Sequence, residues 1–187
     1  SAAAGTGTSG STFGFGIKEN NFLGKNIGLD TNLRFDDETI KGKFSVVNPN
    51  WNFSDRSLIA SIESSVTDKM GDYGYETSLT GFSFGSSWEQ YEDLYFSPKI
   101  SVFHEKLDTN QTASDKLKKQ EGSYFDTDFS YGLLLDRRDR RYQTTDGYLS
   151  KFNQRVPILS EDYGLYNSYE YTTFNQFKDI VTKISLQ

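Results

Sequence analysis

From Ser11 onward the chain alternates with period two, and the alternation recurs in ten segments. Successive side chains of a strand point to opposite faces, so each segment reads as a strand with two different sides. In the run 26–35, Ile27, Leu29, Thr31, Leu33 and Phe35 share one face, against Gly28, Asp30, Asn32 and Arg34. In 123–135, Phe125, Thr127, Phe129, Tyr131, Leu133 and Leu135 oppose Asp126, Asp128, Ser130 and Gly132. Ile40, Gly42, Phe44 and Val46 oppose Lys41, Lys43 and Ser45. Most segments approach the roughly 9–11 residues that a tilted membrane strand needs. The predicted fold class is therefore all-β, an antiparallel transmembrane β-barrel with about ten strands present. The first predicted strand is Ser11–Glu19, preceded by a small, flexible strand entry over residues 1–10.

Composition narrows the function. Cys is absent and His occurs once, which leaves no disulfide framework, thiol chemistry or His-rich metal site. The net charge of -6 argues against a nucleic-acid partner, which would call for a basic stripe. Aromatics at 16% exclude disorder. A soluble β-sandwich also alternates, and it stays open as a rival at this point. The membrane reading is favoured by strand length and by an aromatic apolar face broken by Gly and Thr. Aromatic residues near strand ends (Phe35, Tyr75, Tyr95, Phe96, Tyr124, Tyr148, Tyr166) also fit interfacial girdles.

Few motifs suggest catalysis or cofactors. Gly5–Gly10 matches G-x-G-x-x-G, but a period-two strand follows it where a dinucleotide site needs a helix. His104 opens a hydrophilic insert, 104–122, and reads as a solvated histidine with no marked nucleophile. The insert contains a predicted helical turn capped by Ser114. Asp126 with Asp128, and Asp36-Asp37-Glu38, lack the glycine-spaced loop of a calcium site. The expectation is no enzyme and no cofactor.

Three ordered segments carry a family resemblance. They are Gly10–Gly24, ending in Asn21-Phe22-Leu23-Gly24; Phe44–Trp51, with Asn48-Pro49; and Leu135–Gly147, containing Leu135-Asp136-Arg137 and Thr145-Asp146-Gly147. Together they resemble the Omp85 superfamily over essentially the whole chain. The family's proline before Thr-Asp-Gly is Thr144 here, its Arg-Gly-aromatic tripeptide is absent, and Ser185-Leu186-Gln187 lacks a terminal aromatic. The resemblance implies the N-terminal part of a barrel of about sixteen strands, a single domain over 1–187, with no periplasmic POTRA domain among these residues.

The resemblance further implies a non-enzymatic factor that assembles and inserts β-barrel proteins in the outer membrane of a Gram-negative bacterium. Its partners would be outer-membrane lipid, client β-barrels and accessory lipoproteins. The implied gate is the first strand, with Ser11, Thr12, Phe13, Gly14, Phe15, Gly16 and Ile17 as candidates, weakened by its glycines. A second candidate is an ion-pair motif in the loop 136–147, implied to lie on the extracellular side: Asp136, Arg137, Arg138, Asp139, Asp146 and Gly147. The rival function is a passive channel or secretion pore, with Lys41, Lys43, Asp126 and Asp128 setting selectivity.

Overall fold

The computed structural model describes residues 2–7, 10–160, 164–178 and 180–187. They form one antiparallel sheet of eleven strands in sequence order. The strands are β1 (Ala2–Gly7), β2 (Gly10–Phe22), β3 (Ile27–Phe35), β4 (Thr39–Asn48), β5 (Ser57–Lys69) and β6 (Tyr75–Tyr91), then β7 (Leu94–Thr109), β8 (Gly122–Arg138), β9 (Gly147–Leu159), β10 (Tyr166–Phe177) and β11 (Ile180–Leu186). Each strand pairs with its chain neighbours, and β1 and β11 stand at the two ends of the order. A short helix, α1 (Asp115–Lys119), interrupts the β7–β8 connection. Its Ser114 Oγ accepts from Leu117 N at 3.4 Å, the cap expected from the sequence.

The register sorts the side chains into two faces. One row runs Thr31, Phe44, Ile62, Phe82, Val102 and Thr127 across β3 to β8. The adjacent row, on the other face, runs Asn32, Lys43, Glu63, Gly81, Phe103 and Asp126. Among the described residues nothing packs against the apolar face: Phe82 is 47% and Phe129 37% exposed. The buried hydrophobic residues among those described are Leu107 and Ala113 alone. A soluble sandwich buries its inner faces between two sheets about 10 Å apart. Among the described residues the sheet is a single layer, with its apolar side uncovered.

Four features differ from the sequence expectation. Residues 2–7 are a strand: Ala2 pairs with Phe15 and Gly7 with Gly10. Ser11–Glu19 is therefore the second strand, and the total is eleven. Ala, Gly and Thr have no polar–apolar contrast, so β1 shows no period. Next, β6 continues through Ser86–Tyr91, where the sequence of 86–93 reads as turn-like, and β7 through His104–Thr109, within the predicted insert 104–122. These hydrophilic strand ends have lost the alternation but not the ladder. Finally, register puts Tyr75, Tyr95, Tyr124 and Tyr166 on the polar face, which removes them from the proposed girdles.

Candidate functional site: the first hairpin and the charged turn

Two places in the sheet concentrate the candidate residues. The first is the β1–β2 hairpin. All seven gate candidates, Ser11 to Ile17, lie on β2. Phe13, Phe15 and Ile17 project from the apolar face and are 58%, 47% and 55% exposed. Thr12, Gly14 and Gly16 face the polar side, where Gly14 pairs with Arg34 and Gly16 with Asn32. Because β1 covers Gly10–Phe15, the outermost strand on this side is β1. It is six residues long, built from Ala, Gly and Thr.

Beside the hairpin, the polar face forms an open concavity of about 930 Å³, lined by residues that include Gly14, Gly16, Arg34, Lys41, Lys43 and Glu63. Arg34 and Lys41 are directly opposite each other in the ladder. Like charges in that position repel. Arg34 Nε is 4.0 Å from Asp36 Oδ2, and Lys43 Nζ 3.6 Å from Glu63 Oε2. The paired glycines supply no side chains, so the cations stand beside open space.

The second place is the β8–β9 turn. Asp136 and Arg138 are two apart on β8 and so share a face. Arg138 Nε donates to Asp136 Oδ1 at 2.7 Å and Nη2 to Oδ2 at 2.8 Å, a bidentate pair. Arg137 points to the other face, with its Nε 3.9 Å from Asp93 Oδ2 in the β6–β7 turn. Asp136 N donates to Asp93 O at 3.0 Å, which ties the two turns together. Beyond β8, Asp139 organises the turn itself. It accepts from the Thr145 hydroxyl at 2.7 Å, from Thr145 N at 3.0 Å and from Asp146 N at 3.1 Å. The Thr145 hydroxyl, the two backbone N–H groups and Arg140 hold its carboxyl well below the usual carboxylate range.

Gly147 closes the turn at φ +99. A Cβ there would sit 2.1 Å from Arg137 O, so only glycine fits. Thr144, in place of the family's proline, donates its hydroxyl to Arg140 O at 2.7 Å.

His104 lies on the apolar face of β7, 2.6 Å from Ser123 Oγ, with its ring centroid 4.6 Å from that of Phe125. Asp128 is buried on the polar face, 3.7 Å from Arg155 Nε. The candidate residues thus fall into separate places: the gate residues on β2, and the ion-pair residues at one end of β8 and β9.

The family model described as the Omp85 superfamily domain matches residues 21–186. The chain belongs to the Omp85 superfamily. Among solved structures, this Omp85 chain is similar to BamA from Haemophilus ducreyi, crystallised without POTRA domains 1–3. The two share 18% identity at a TM-score of 0.64, over 92% of this chain and 36% of the other. At that identity the likeness is one of fold. The Omp85 chain described here spans about a third of the length of that solved relative. No curated protein matches it.

Sequence reading missed β1 and the exposed aromatic residues of the turns, Phe53 and Tyr142 among them. The signal available for the turns was Asn48-Pro49-Asn50-Trp51 and Asn21-Phe22-Leu23-Gly24, where a large apolar residue stands among turn formers.

Proposed function

We propose that this chain is part of an outer-membrane barrel that assembles and inserts other β-barrel proteins, and that β1 offers its outer edge to the client. The observation that carries the reading is that, among the described residues, the strand outside β2 is six residues of Ala, Gly and Thr. Such a strand gains little from side-chain packing, and glycine orders at entropic cost. Released from its outer neighbour, such a strand would offer its N–H and C=O groups as a template for an incoming strand, as in β-augmentation. The client supplies the driving force by completing its own ladder and placing its apolar face in lipid, so no nucleotide or other cofactor takes part. The gate candidates Ser11–Ile17 pair with β1 over Ser11–Phe15, and this reading extends the gate to β1. These β2 residues hold β1 along its inner edge.

The reading places the sheet in the outer membrane of a Gram-negative bacterium, with outer-membrane lipid on its apolar face. Client β-barrels and accessory lipoproteins are the partners, and no nucleic acid is bound. Outer-membrane barrels have short periplasmic turns and longer extracellular loops. The α1-bearing connection, 110–121, is the longest described, so its end is read as extracellular. The β8–β9 turn lies at the opposite end, which reverses the side assigned from sequence.

A second reading, a passive pore, is favoured by the cationic cluster of Arg34, Lys41 and Lys43. Depleting the full-length protein separates the two. An assembly factor's loss removes many barrels from the outer membrane. A pore's loss removes one conductance and leaves other barrels at normal levels, and that result would overturn the assembly reading.

A further inference from the structure

The polar face of β1 and β2 is bare as far as a wall of cations on β3 and β4. The positions that face carries on the first hairpin include Ala3, Thr12, Gly14 and Gly16, none larger than threonine. Two adjacent strands span about 10 Å across a sheet, room for one extended segment with its side chains. Gly14 is not glycine for backbone reasons. It is not among the glycines with positive φ, and an added Cβ would meet nothing nearer than 3.9 Å. A side chain fits there, and the chain carries none.

The wall consists of Arg34, Lys41 and Lys43, all exposed on the polar face. Arg34 and Lys41 stand directly opposite each other, an arrangement that destabilises a ladder. Two carboxylates are near: Glu63, 3.6 Å from Lys43, and Asp36, 4.0 Å from Arg34. Lys41 has no hydrogen bond or ion pair among the described residues. The chain as a whole has a net charge of -6, so a cationic wall runs against its composition. A repulsive pair that nothing local offsets is accounted for by an anionic occupant. Lys41 and Lys43 are two residues apart, about 7 Å along the strand. That is also the spacing of alternate side chains in an extended polypeptide, and it is too wide for one small anion to bridge.

The wall lies near one end of the sheet. Arg34 is the last residue but one of β3, and Lys41 is the third of β4. The α1-bearing connection stands at the same end, read above as extracellular, where outer-membrane barrels carry their longer loops. A client strand added along β1 brings such a loop to the mouth of the trough. We propose that this trough holds an acidic, extended loop of the client, with alternate carboxylates beside Lys41 and its neighbours Arg34 and Lys43. The inference rests on the assembly reading and names the client chemistry that the site accepts. The pore reading gives the same cations to small anions and leaves the sequence of a client loop without effect.

The test is disulfide capture in the full-length protein, folded into phosphatidylcholine–phosphatidylethanolamine vesicles, with one introduced cysteine at a time. The client is a β-barrel whose longest loop carries alternate glutamates, or glutamines at the same positions, with a single cysteine in that loop or in its edge strand. A cysteine at Thr12 reports the loop in the trough. A cysteine at Ala4 reports the edge strand on β1, and in the native protein it should capture both clients equally. The Thr12 yield should be about fivefold higher for the glutamate loop, the scale of two exposed ion pairs. Arg34→Gln with Lys41→Gln should lower it to the glutamine level, and the double variant removes a repulsion, so the ladder keeps its pairing. Salt at 1 M, where the screening length is ~3 Å, should do the same. Equal Thr12 yields for the two loops, with Ala4 capture intact, overturn the proposal and leave the assembly reading standing. A glutamate preference that survives the double variant overturns it as well. Loss of Ala4 capture overturns the assembly reading and this proposal with it. A Thr12 cysteine that fails to react with a water-soluble maleimide before client is added puts another segment of the barrel in the trough, which overturns the proposal too.

Discussion

Gly147→Ala is expected to be among the most damaging single methyl additions in the described chain. Gly147 opens β9 at φ +99, opposite Arg138 of β8. The added Cβ meets Arg137 O at 2.1 Å and Arg138 Cα at 2.9 Å. Both are backbone atoms, so no side chain can rotate away, and the strands must separate by more than ~1 Å to reach ordinary contact. Gly24, at φ +70, has nothing within 4 Å of its added Cβ and provides the control. An alanine at either position bears a left-handed penalty of ~1–2 kcal/mol. At Gly147 the separation also endangers the Arg138–Gly147 pairing and the Asp139 N to Asp146 O bond of 3.1 Å. Two such bonds are worth ~1–3 kcal/mol together. The expected costs are thus about 2–5 kcal/mol for Gly147→Ala and about 1–2 for Gly24→Ala. Urea unfolding of the full-length protein in vesicles, followed by tryptophan fluorescence, measures both. Equal costs would refute the steric account of the turn.

Three further outcomes are expected. Phe129→Arg on the apolar face should cost ~2–4 kcal/mol near the bilayer midplane, and Asp30→Asn on the polar face far less; equal penalties on folding into vesicles would contradict the two-face assignment. Arg138→Ala strips Asp136 of a part-buried bidentate partner and should cost ~1–3 kcal/mol. The more exposed Arg137–Asp93 pair is worth ~0–1, so equal thermal shifts in the full-length protein would count against the bidentate geometry. Asp139 has its folded pKa lowered, so its contribution is complete above the unfolded value of about 4 and fades as pH falls below it. A spin label at Gln143 in the native turn should gain mobility only as pH falls through the lowered folded value, well below the ordinary carboxylate range, and Asp139→Asn should abolish the acid dependence.

The ten alternating strands were legible because each carries an apolar face on one side and a polar face on the other. Ile27–Phe35 and Phe125–Leu135 report that environment residue by residue. β1 was not legible, since an Ala-Ala-Ala-Gly-Thr-Gly segment has no contrast to alternate and is a strand only through its pairing with β2. The outer ends of β6 and β7 were misread for a related reason. Polar residues stand on both faces of His104–Thr109, and Glu89 and Gln90 break the period beside Trp88 in Ser86–Tyr91, so both stretches keep their ladder without an alternation to read. The tyrosines Tyr75, Tyr95, Tyr124 and Tyr166 showed how proximity to a strand end leaves the face unassigned. Register alone decides it, and register depends on bulges such as those at Glu19/Phe22 and Glu89/Tyr91. The Asp136–Gly147 residues were picked out by resemblance. That Arg138 would be the bidentate partner follows from strand parity, which became available only once β8 was known to extend to Arg138.

The central claim is that β1 must leave its seam for clients to be assembled. A cysteine at Ala4, tied by a disulfide to the last strand of the full-length barrel, tests it directly, because this chain contains no competing cysteine. The rate at which client barrels are inserted into vesicles is measured before and after reduction. The account predicts little or no insertion while the seam is tied, and recovery to the untied rate once the disulfide is reduced. Insertion at the normal rate with the seam still tied would contradict it.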